Sequence, residues 1–337
     1  MLLVFGEHNG QNRHVKFLYN IGSQKMVGKL SDDRLMSGSR IPVLYLWKYG
    51  DGHPWSTPND ELRRSIEAKQ GRFERVDSLG EPGICGNLLE PALVENCCEE
   101  LGIPEPLCSP PVIDKSDEFY QCSLDGLTTV PAPVTIFAND LVEIDGGEAS
   151  IQISGPIPIE CKVTSDFRRD DIPLYRGPIQ LQLQMMAVKA NFGILITLYR
   201  GIERHIKIYR YDEEMAQRIK SICKDFADRV ESEQMYAPVN VDDATKAYPS
   251  GSGGIELPGL TDQVERLVRL RQDAKELELE IDALQTEIMS AMQDAEEAAI
   301  GSYRVKWPIR KYKATEERVV PAKEAREVRL KTLQIQN

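Results

Sequence analysis

At 337 residues and 41% hydrophobic content the chain can bury a sizeable core, as one large domain or two ordinary ones. Its net charge of −12 argues against bulk attraction to nucleic acid, so any such contact must come from a local basic surface. The longest largely apolar run, around 192–199, is too short for a membrane span of roughly 20 residues, and the first ten residues lack the basic start and apolar core of a secretory signal.

Seven cysteines, an odd number, include adjacent Cys97-Cys98 and no Cys-x-x-Cys. That pattern predicts free thiols in a reducing cytoplasm rather than a disulfide framework or a zinc ribbon. Cys223 stands alone beyond Cys161, which argues against an iron–sulfur cluster.

Along the chain, residues 1–30 carry no clear period and read as a small β-rich extension. A core is expected over 31–236. Within it, 60–68 and 84–101 have helical patterns, the second with Leu88, Leu89, Leu93 and Val94 apolar. Residues 120–127 read as a strand ending in an Asp-Gly turn. The Pro/Gly-rich 128–158 holds hairpin-like runs such as Val134-Thr135-Ile136-Phe137 and Ile151-Gln152-Ile153. Next come a strand through Glu160, a helix over 174–190 starting after Pro173 or Pro178, strands at 192–199 and 205–209, and a helix over 212–231. This order predicts an α/β (α+β) core with a central mixed sheet flanked by helices.

Residues 237–260, with Pro238, Pro249, Pro258 and Ser250-Gly251-Ser252-Gly253-Gly254, read as a flexible linker. Beyond it, 261–337 is expected to form a long heptad helix capped by Thr261, then a short β tail at 303–307 and 328–335. The helix carries Leu267, Leu270, Ala274, Leu277, Ile281, Leu284, Ile288, Ala291 and Ala295 at alternating steps of three and four. So narrow a stripe with charged flanks is a coiled-coil seam, paired within the chain or between subunits.

Two short stretches carry the chemistry. Ser123-Leu124-Asp125-Gly126-Leu127 supplies one carboxylate, and Ile159-Glu160-Cys161-Lys162-Val163 supplies a carboxylate and an ammonium. On a strand, Glu160 and Lys162 share one face, opposite Ile159, Cys161 and Val163. Carboxylate oxygens suit a hard divalent cation such as magnesium, which polarises a phosphoryl oxygen and acidifies a bound water, with the lysine to orient or activate that water. By itself a Glu-x-Lys strand is usually an ordinary solvated salt-bridging face. Acidic residues crowd 90–118, 138–148 and 262–297, while Arg168, Arg169, Arg176, Lys189, Arg200, Arg204, Lys207 and Arg210 follow the Glu-x-Lys. This leaves open a basic surface beside the metal site or a face that balances nearby carboxylates.

Several patterns then line up in one order. Arg34 is followed by Ser37-Gly38-Ser39, Pro54-Trp55-Ser56-Thr57-Pro58 precedes Lys69, and Gly86-Asn87-Leu88-Leu89-Glu90-Pro91 lies on a helical stretch. Tyr120 to Gly126, Ile159 to Lys162, and Tyr175 with Gln180-Leu181-Gln182-Leu183-Gln184-Met185 complete the series. Together they resemble the lambda-type exonuclease and YqaJ-like viral recombinase family of restriction-endonuclease-like nucleases, over roughly 30–235. Leu124 stands where the family usually has proline. The interval from Asp125 to Glu160 is long, implying an inserted hairpin, and the longer spacing from Tyr175 to Gln180 makes Gln182 a rival to Gln180.

The resemblance implies a magnesium-dependent 5′→3′ exonuclease on linear double-stranded DNA, with manganese as substitute and two ions per site. It would leave 3′ overhangs for recombination by strand annealing. Asp125, Glu160 and the Cys161 carbonyl would hold metal, Glu90 a second ion, and Lys162 with Gln180 the attacking water. Arg34 and Ser39, with Ser37 as a rival, would hold a DNA phosphate, and Tyr175 would accompany the glutamine helix. It also implies a homo-oligomer in the form of a ring trimer, a single-strand annealing protein as partner, and a bacterial or phage-infected host cytoplasm. A non-catalytic DNA-binding scaffold and a repair endonuclease on the same fold are the alternatives.

Overall fold

The computed structural model describes residues 32–72, 80–107, 112–169, 171–251 and 253–309; the extension expected over 1–30 and the strand expected over 328–335 lie outside them. Contacts divide the chain into two units, 1–237 and 238–337.

The first unit opens with a two-residue strand, β1 (Met36–Ser37), and then α1 (Ile41–Tyr49), α2 (Pro58–Lys69) and α3 (Glu81–Leu101). Thr57 and Asp60 form a reciprocal capping box that starts α2, with Pro58 at its first position. In α3 the apolar residues divide by face: Leu93 and Val94 are buried, whereas Leu88 and Leu89 are exposed.

β2 (Val112–Lys115) and β3 (Tyr120–Ser123) join β1 in a small sheet of order β1-β3-β2. The Asp125-Gly126 turn expected at the end of that strand is not a turn. Leu124 and Asp125 link β3 directly to β4 (Gly126–Phe137), and Gly126 is already paired with Ile159. The glycine is required by close approach: a Cβ there would lie 2.5 Å from Val94 Cγ1, so α3 packs flush on the strand start.

β4 runs antiparallel to β6 (Ser150–Thr164), after β5 (Val142–Ile144) in the connection. The long interval before Glu160 is therefore a hairpin whose second strand continues unbroken into the Glu160 segment. β6 pairs in parallel with β7 (Phe192–Tyr199), which pairs antiparallel with β8 (Glu203–Arg210), and β8 carries β5 in parallel at the edge. The result is a mixed five-stranded sheet of order β4-β6-β7-β8-β5.

Period-two alternation sorts the sheet's faces. Ile157, Ile159, Cys161, Ile194 and Ile196 join Val94 and Cys97 of α3 in one core. Leu195, directly paired with Glu160, packs on the other face with Leu181 and Met185 of α4 (Pro178–Val188). Of the two starts expected for this helix, at Pro173 or Pro178, the structure takes the second; Leu174–Arg176 forms a single 3-10 turn, and Gly177 (φ 127°) breaks the path. α5 (Glu213–Ser232), capped by Asp212, packs with α1, α2 and α4 over the second large core.

In the second unit, the stretch expected to be a flexible linker contains a short helix, α6 (Val241–Ala247), whose cap Asn240 accepts from the Asp243 amide. The long helix α7 spans Thr261–Met292. Thr261 does not cap it; the residue is itself helical, and its hydroxyl donates to the Pro258 carbonyl. Ala295 lies past the helix end, so the seam stops at Ala291. β9 (Glu297–Ile300) and β10 (Tyr303–Lys306) close a small antiparallel hairpin. No helix among the described residues is long and apolar enough to cross a membrane.

Candidate active site

Glu160 sits on β6, one strand in from the edge of the main sheet, with its side chain on the α4 face, and only 1% of it is exposed. A carboxylate buried that deeply needs donors. Lys162, two residues on and on the same face, donates to Glu160 Oε1. Gln184 Nε2 donates to Glu160 Oε2 at 2.6 Å and to the Ser123 carbonyl at 3.3 Å. Lys162 Nζ also reaches Gln180 Oε1 at 3.1 Å. Gln180 and Gln184 are four apart, so one face of α4 presents both amides to the Glu-x-Lys strand.

Asp125 enters from the β3–β4 link. The Cys161 amide donates to its Oδ2 at 2.9 Å, which ties the aspartate to the strand that carries Glu160. Burial first, and then the Asp125 charge, push the Glu160 carboxyl up to about 7 against the opposing pull of Lys162 and the Gln184 hydrogen bond. Burial pulls the Lys162 amine down, but the Glu160 and Asp125 charges more than offset it and hold it above the ordinary lysine value. Lys162 is thus an ammonium, suited to hold a water or a phosphate oxygen by charge. Burial, then Asp125, Glu90 and Glu160, raise the Cys161 thiol, so it is no nucleophile.

Glu90, half-buried on α3, thus lies near enough for its charge to act on Cys161. Among the described residues, however, no group of three or more His, Cys, Asp or Glu is gathered to hold one ion. The donor set brought together is Asp125, Glu160 and the strand backbone at Cys161. Two carboxylates that repel one another, beside a peptide carbonyl, are hard oxygen donors of the kind magnesium takes, so these residues fit such an ion.

The rivalry between glutamines has a geometric answer. Gln182 lies on another side of α4, where its Nε2 donates to the Arg210 carbonyl at 2.8 Å and its Oε1 accepts from the Asp212 amide at 3.1 Å. It fastens α4 to the junction of β8 and α5. Gln180 and Gln184 meet the acidic pair. Gln184 was not expected as a site residue, although its i,i+4 relation to Gln180 carried that signal.

The Ser37-Gly38-Ser39 turn packs on Gln180, and a Cβ at Gly38 would lie 3.2 Å from Gln180 Cγ. Exposed Ser39 therefore borders the site, with Ser37 Oγ 3.3 Å from its own Oγ. Arg34 is not brought there: it is exposed and bonds Asp32 through Nε at 2.9 Å. It rims a separate cavity with Lys69, Asp114, Gln121 and Asp228. Arg40 is buried nearby, bonded to Glu61 Oε2 at 2.6 Å, the Glu61 carbonyl at 2.6 Å and Ser65 Oγ at 2.8 Å. It fixes the approach of β1 to α2.

Tyr175, just ahead of α4, stands edge-on to Trp55 at 5.3 Å and to His53 at 5.7 Å, with the Arg176 guanidinium over both Trp55 and Tyr175. The Pro54 to Pro58 stretch and the glutamine helix are thereby joined. A cavity opens beside Lys162, lined also by Thr164, Phe167, Arg169 and Arg176. The basic run that follows the Glu-x-Lys is not a bare cationic surface. Arg168 pairs with Glu203, Arg176 with Asp166, Lys207 with Glu143 and Arg210 with Glu148. The described cysteines Cys85, Cys97, Cys98, Cys122, Cys161 and Cys223 are all free thiols.

No protein-family model and no curated protein matches the chain. Among solved structures, the chain is similar to an alkaline exonuclease (LHK-Exo) from Laribacter hongkongensis, at 14% identity over 60% of this chain and 90% of that one, with a TM-score of 0.40. The same exonuclease in complex with dAMP matches at 13% identity, over 59% of this chain and 89% of that one, also with a TM-score of 0.40.

Proposed function

We propose that this chain is a metal-dependent deoxyribonuclease that hydrolyses phosphodiester bonds from an end of linear duplex DNA. The observation that carries the reading is the unbroken line Gln184–Glu160–Lys162–Gln180, set against Asp125 in the β3–β4 link. A purely structural salt bridge explains Glu160 and Lys162 but not a second carboxylate brought close enough to raise Glu160.

Asp125, Glu160 and the Cys161 carbonyl would hold magnesium, or manganese in its place, with Glu90, whose charge reaches Cys161, as the further carboxylate for a second ion. The bound cation supplies charge stabilisation at the phosphate and a more acidic water. Lys162, an ammonium, orients that water and offsets charge that develops on the phosphate oxygens. Gln180, whose carbonyl oxygen accepts from Lys162, would help position the same water, and Gln184 keeps Glu160 aimed. Ser39 lies where a phosphate beside Gln180 would meet a hydroxyl; Arg34 would serve a phosphate only farther along the strand. The 5′→3′ direction, the 3′ overhang for strand annealing, the ring trimer, the annealing partner and a cytoplasmic setting rest on the family resemblance of the sequence motifs.

Purified protein with magnesium should shorten linear duplex labelled at its 5′ end and leave covalently closed circles intact. Lys162→Ala should bind the linear duplex without shortening it. Linear DNA left intact with both magnesium and manganese would remove the enzyme reading, and cutting of closed circles would convert it to an endonuclease.

A further inference from the structure

α7 is 32 residues long, about 48 Å at 1.5 Å per residue, and among the described residues its apolar seam stays exposed. Leu270, Leu277, Ile281, Leu284 and Ile288 are between 37% and 58% exposed. A surface helix packed on its own domain hides such a stripe, and a long helix that buries no face is marginal in water. The steps of three and four place Leu267, Ala274, Ile281 and Ile288 at a positions and Leu270, Leu277, Leu284 and Ala291 at d positions.

The flanking charges distinguish the partners. The g positions are Arg266, Asp273, Glu280 and Glu287, and the e positions are Arg271, Glu278, Gln285 and Met292. In a parallel pair of identical helices each g residue faces the e residue five positions on in the second copy. Arg266 would meet Arg271, and Asp273 would meet Glu278, so no attractive pair forms and both charged pairs repel. Reversing one helix sets Arg266 against Glu287 and Arg271 against Glu278, each twice by symmetry, so four attractive pairs outnumber the two repulsive ones of Asp273 with Glu280. The same reversal stacks Leu267 on Leu284, Leu270 on Ile281 and the small Ala274 on the large Leu277.

We propose that α7 is a self-association surface whose occupant is α7 of a second copy of this chain, running antiparallel. The seam supplies the buried apolar core, and the end-to-end charge gradient of the helix sets the direction.

Sedimentation equilibrium on the full chain at low salt tests this with two exposed-surface variants. Leu277→Asp/Ile281→Asp should halve the mass of the assembly. Arg271→Glu should weaken the association roughly tenfold, because two symmetric attractive pairs become repulsive. A parallel pair makes the opposite forecast, since Arg271→Glu would turn its Arg–Arg contact into an attraction. Tightening by Arg271→Glu, a wild-type monomer, or an assembly indifferent to Leu277→Asp/Ile281→Asp would each overturn the proposal. Thermal melting of each variant checks that the first unit remains folded, while some loss of helix signal from α7 is the expected result of losing its partner. None of these readings depends on nuclease activity.

Discussion

Replacing Gln184 by leucine separates a glutamine that serves the acidic pair from one that only braces the fold. The side chain is fully buried, with Nε2 2.6 Å from Glu160 Oε2 and 3.3 Å from the Ser123 carbonyl, while its Oε1 has no hydrogen-bond partner. Losing a hydrogen bond to a charged group costs about 1.5–3 kcal/mol, and removing an unpartnered buried oxygen returns about 1 kcal/mol or more. The net loss is about 1 kcal/mol, which for a unit of this size lowers Tm by roughly 2–4 °C. Activity should fall further than stability, by about tenfold, because the lost contact worth about 1.5 kcal/mol is what aims the carboxylate. The control is Gln182→Leu, which breaks the bonds to Arg210 and Asp212 and should melt earlier while it still cleaves at temperatures well below its Tm. Both variants are compared by thermal melts and by initial rates on linear duplex. If folded Gln182→Leu loses as much activity as Gln184→Leu, the assignment of roles along α4 is wrong.

Three further outcomes follow from the same structure. Gly177→Ala places a Cβ 2.7 Å from Leu195 Cδ1 at a φ of 127°, and should cost about 2–4 kcal/mol in denaturant titrations; a loss below about 1 kcal/mol would mean that the junction before α4 yields easily. Arg40→Met leaves Glu61 facing a buried hole where the guanidinium stood, and should destabilise by about 3–5 kcal/mol, with near wild-type stability counting against the role given to Arg40. His205 is buried, and its Nε2 lies 3.2 Å from Glu143 Oε2 without the alignment of a hydrogen bond. Burial first, then the Arg168 charge, lower its pKa, with Glu143 pulling the other way and Lys207 adding to the lowering. The folded state therefore holds fewer protons here than the unfolded one, so the contribution is intact above the ordinary histidine range and is lost as pH falls through the lowered folded value. His205→Gln should flatten the fall in stability between about pH 7 and pH 5 relative to wild type, and an unchanged slope would exclude the histidine as its source.

Much of the candidate site was legible from local periods. Alternation in Ile159 to Val163 put Glu160 and Lys162 on one face, and the structure joins them there. The helical period of 180–184 was equally present, yet with glutamines at every second position Gln180 and Gln182 stayed rivals until α4 had a neighbour on each side. Only then did Gln182 turn toward the β8–α5 junction and Gln180 and Gln184 toward the acidic pair. The Asp-Gly turn misled for a related reason, because the same dipeptide signals a tight turn and a place where a helix approaches too closely for a Cβ. Val94, far away in sequence, decides between them.

What the sequence determined by itself was what depends on near neighbours: the period of each strand and helix, the heptad seam of α7 with its charge gradient, and the carboxylate and ammonium types from which a phosphodiesterase site can be built. Long-range packing decided the rest. It brought Asp125 to the Cys161 amide, selected Gln184 over Gln182 as the support of Glu160, and kept Arg34 with Asp32 instead of with the acidic pair. Such choices turn on contacts a few ångströms long between residues tens of positions apart, and a linear pattern has no means of encoding that distance.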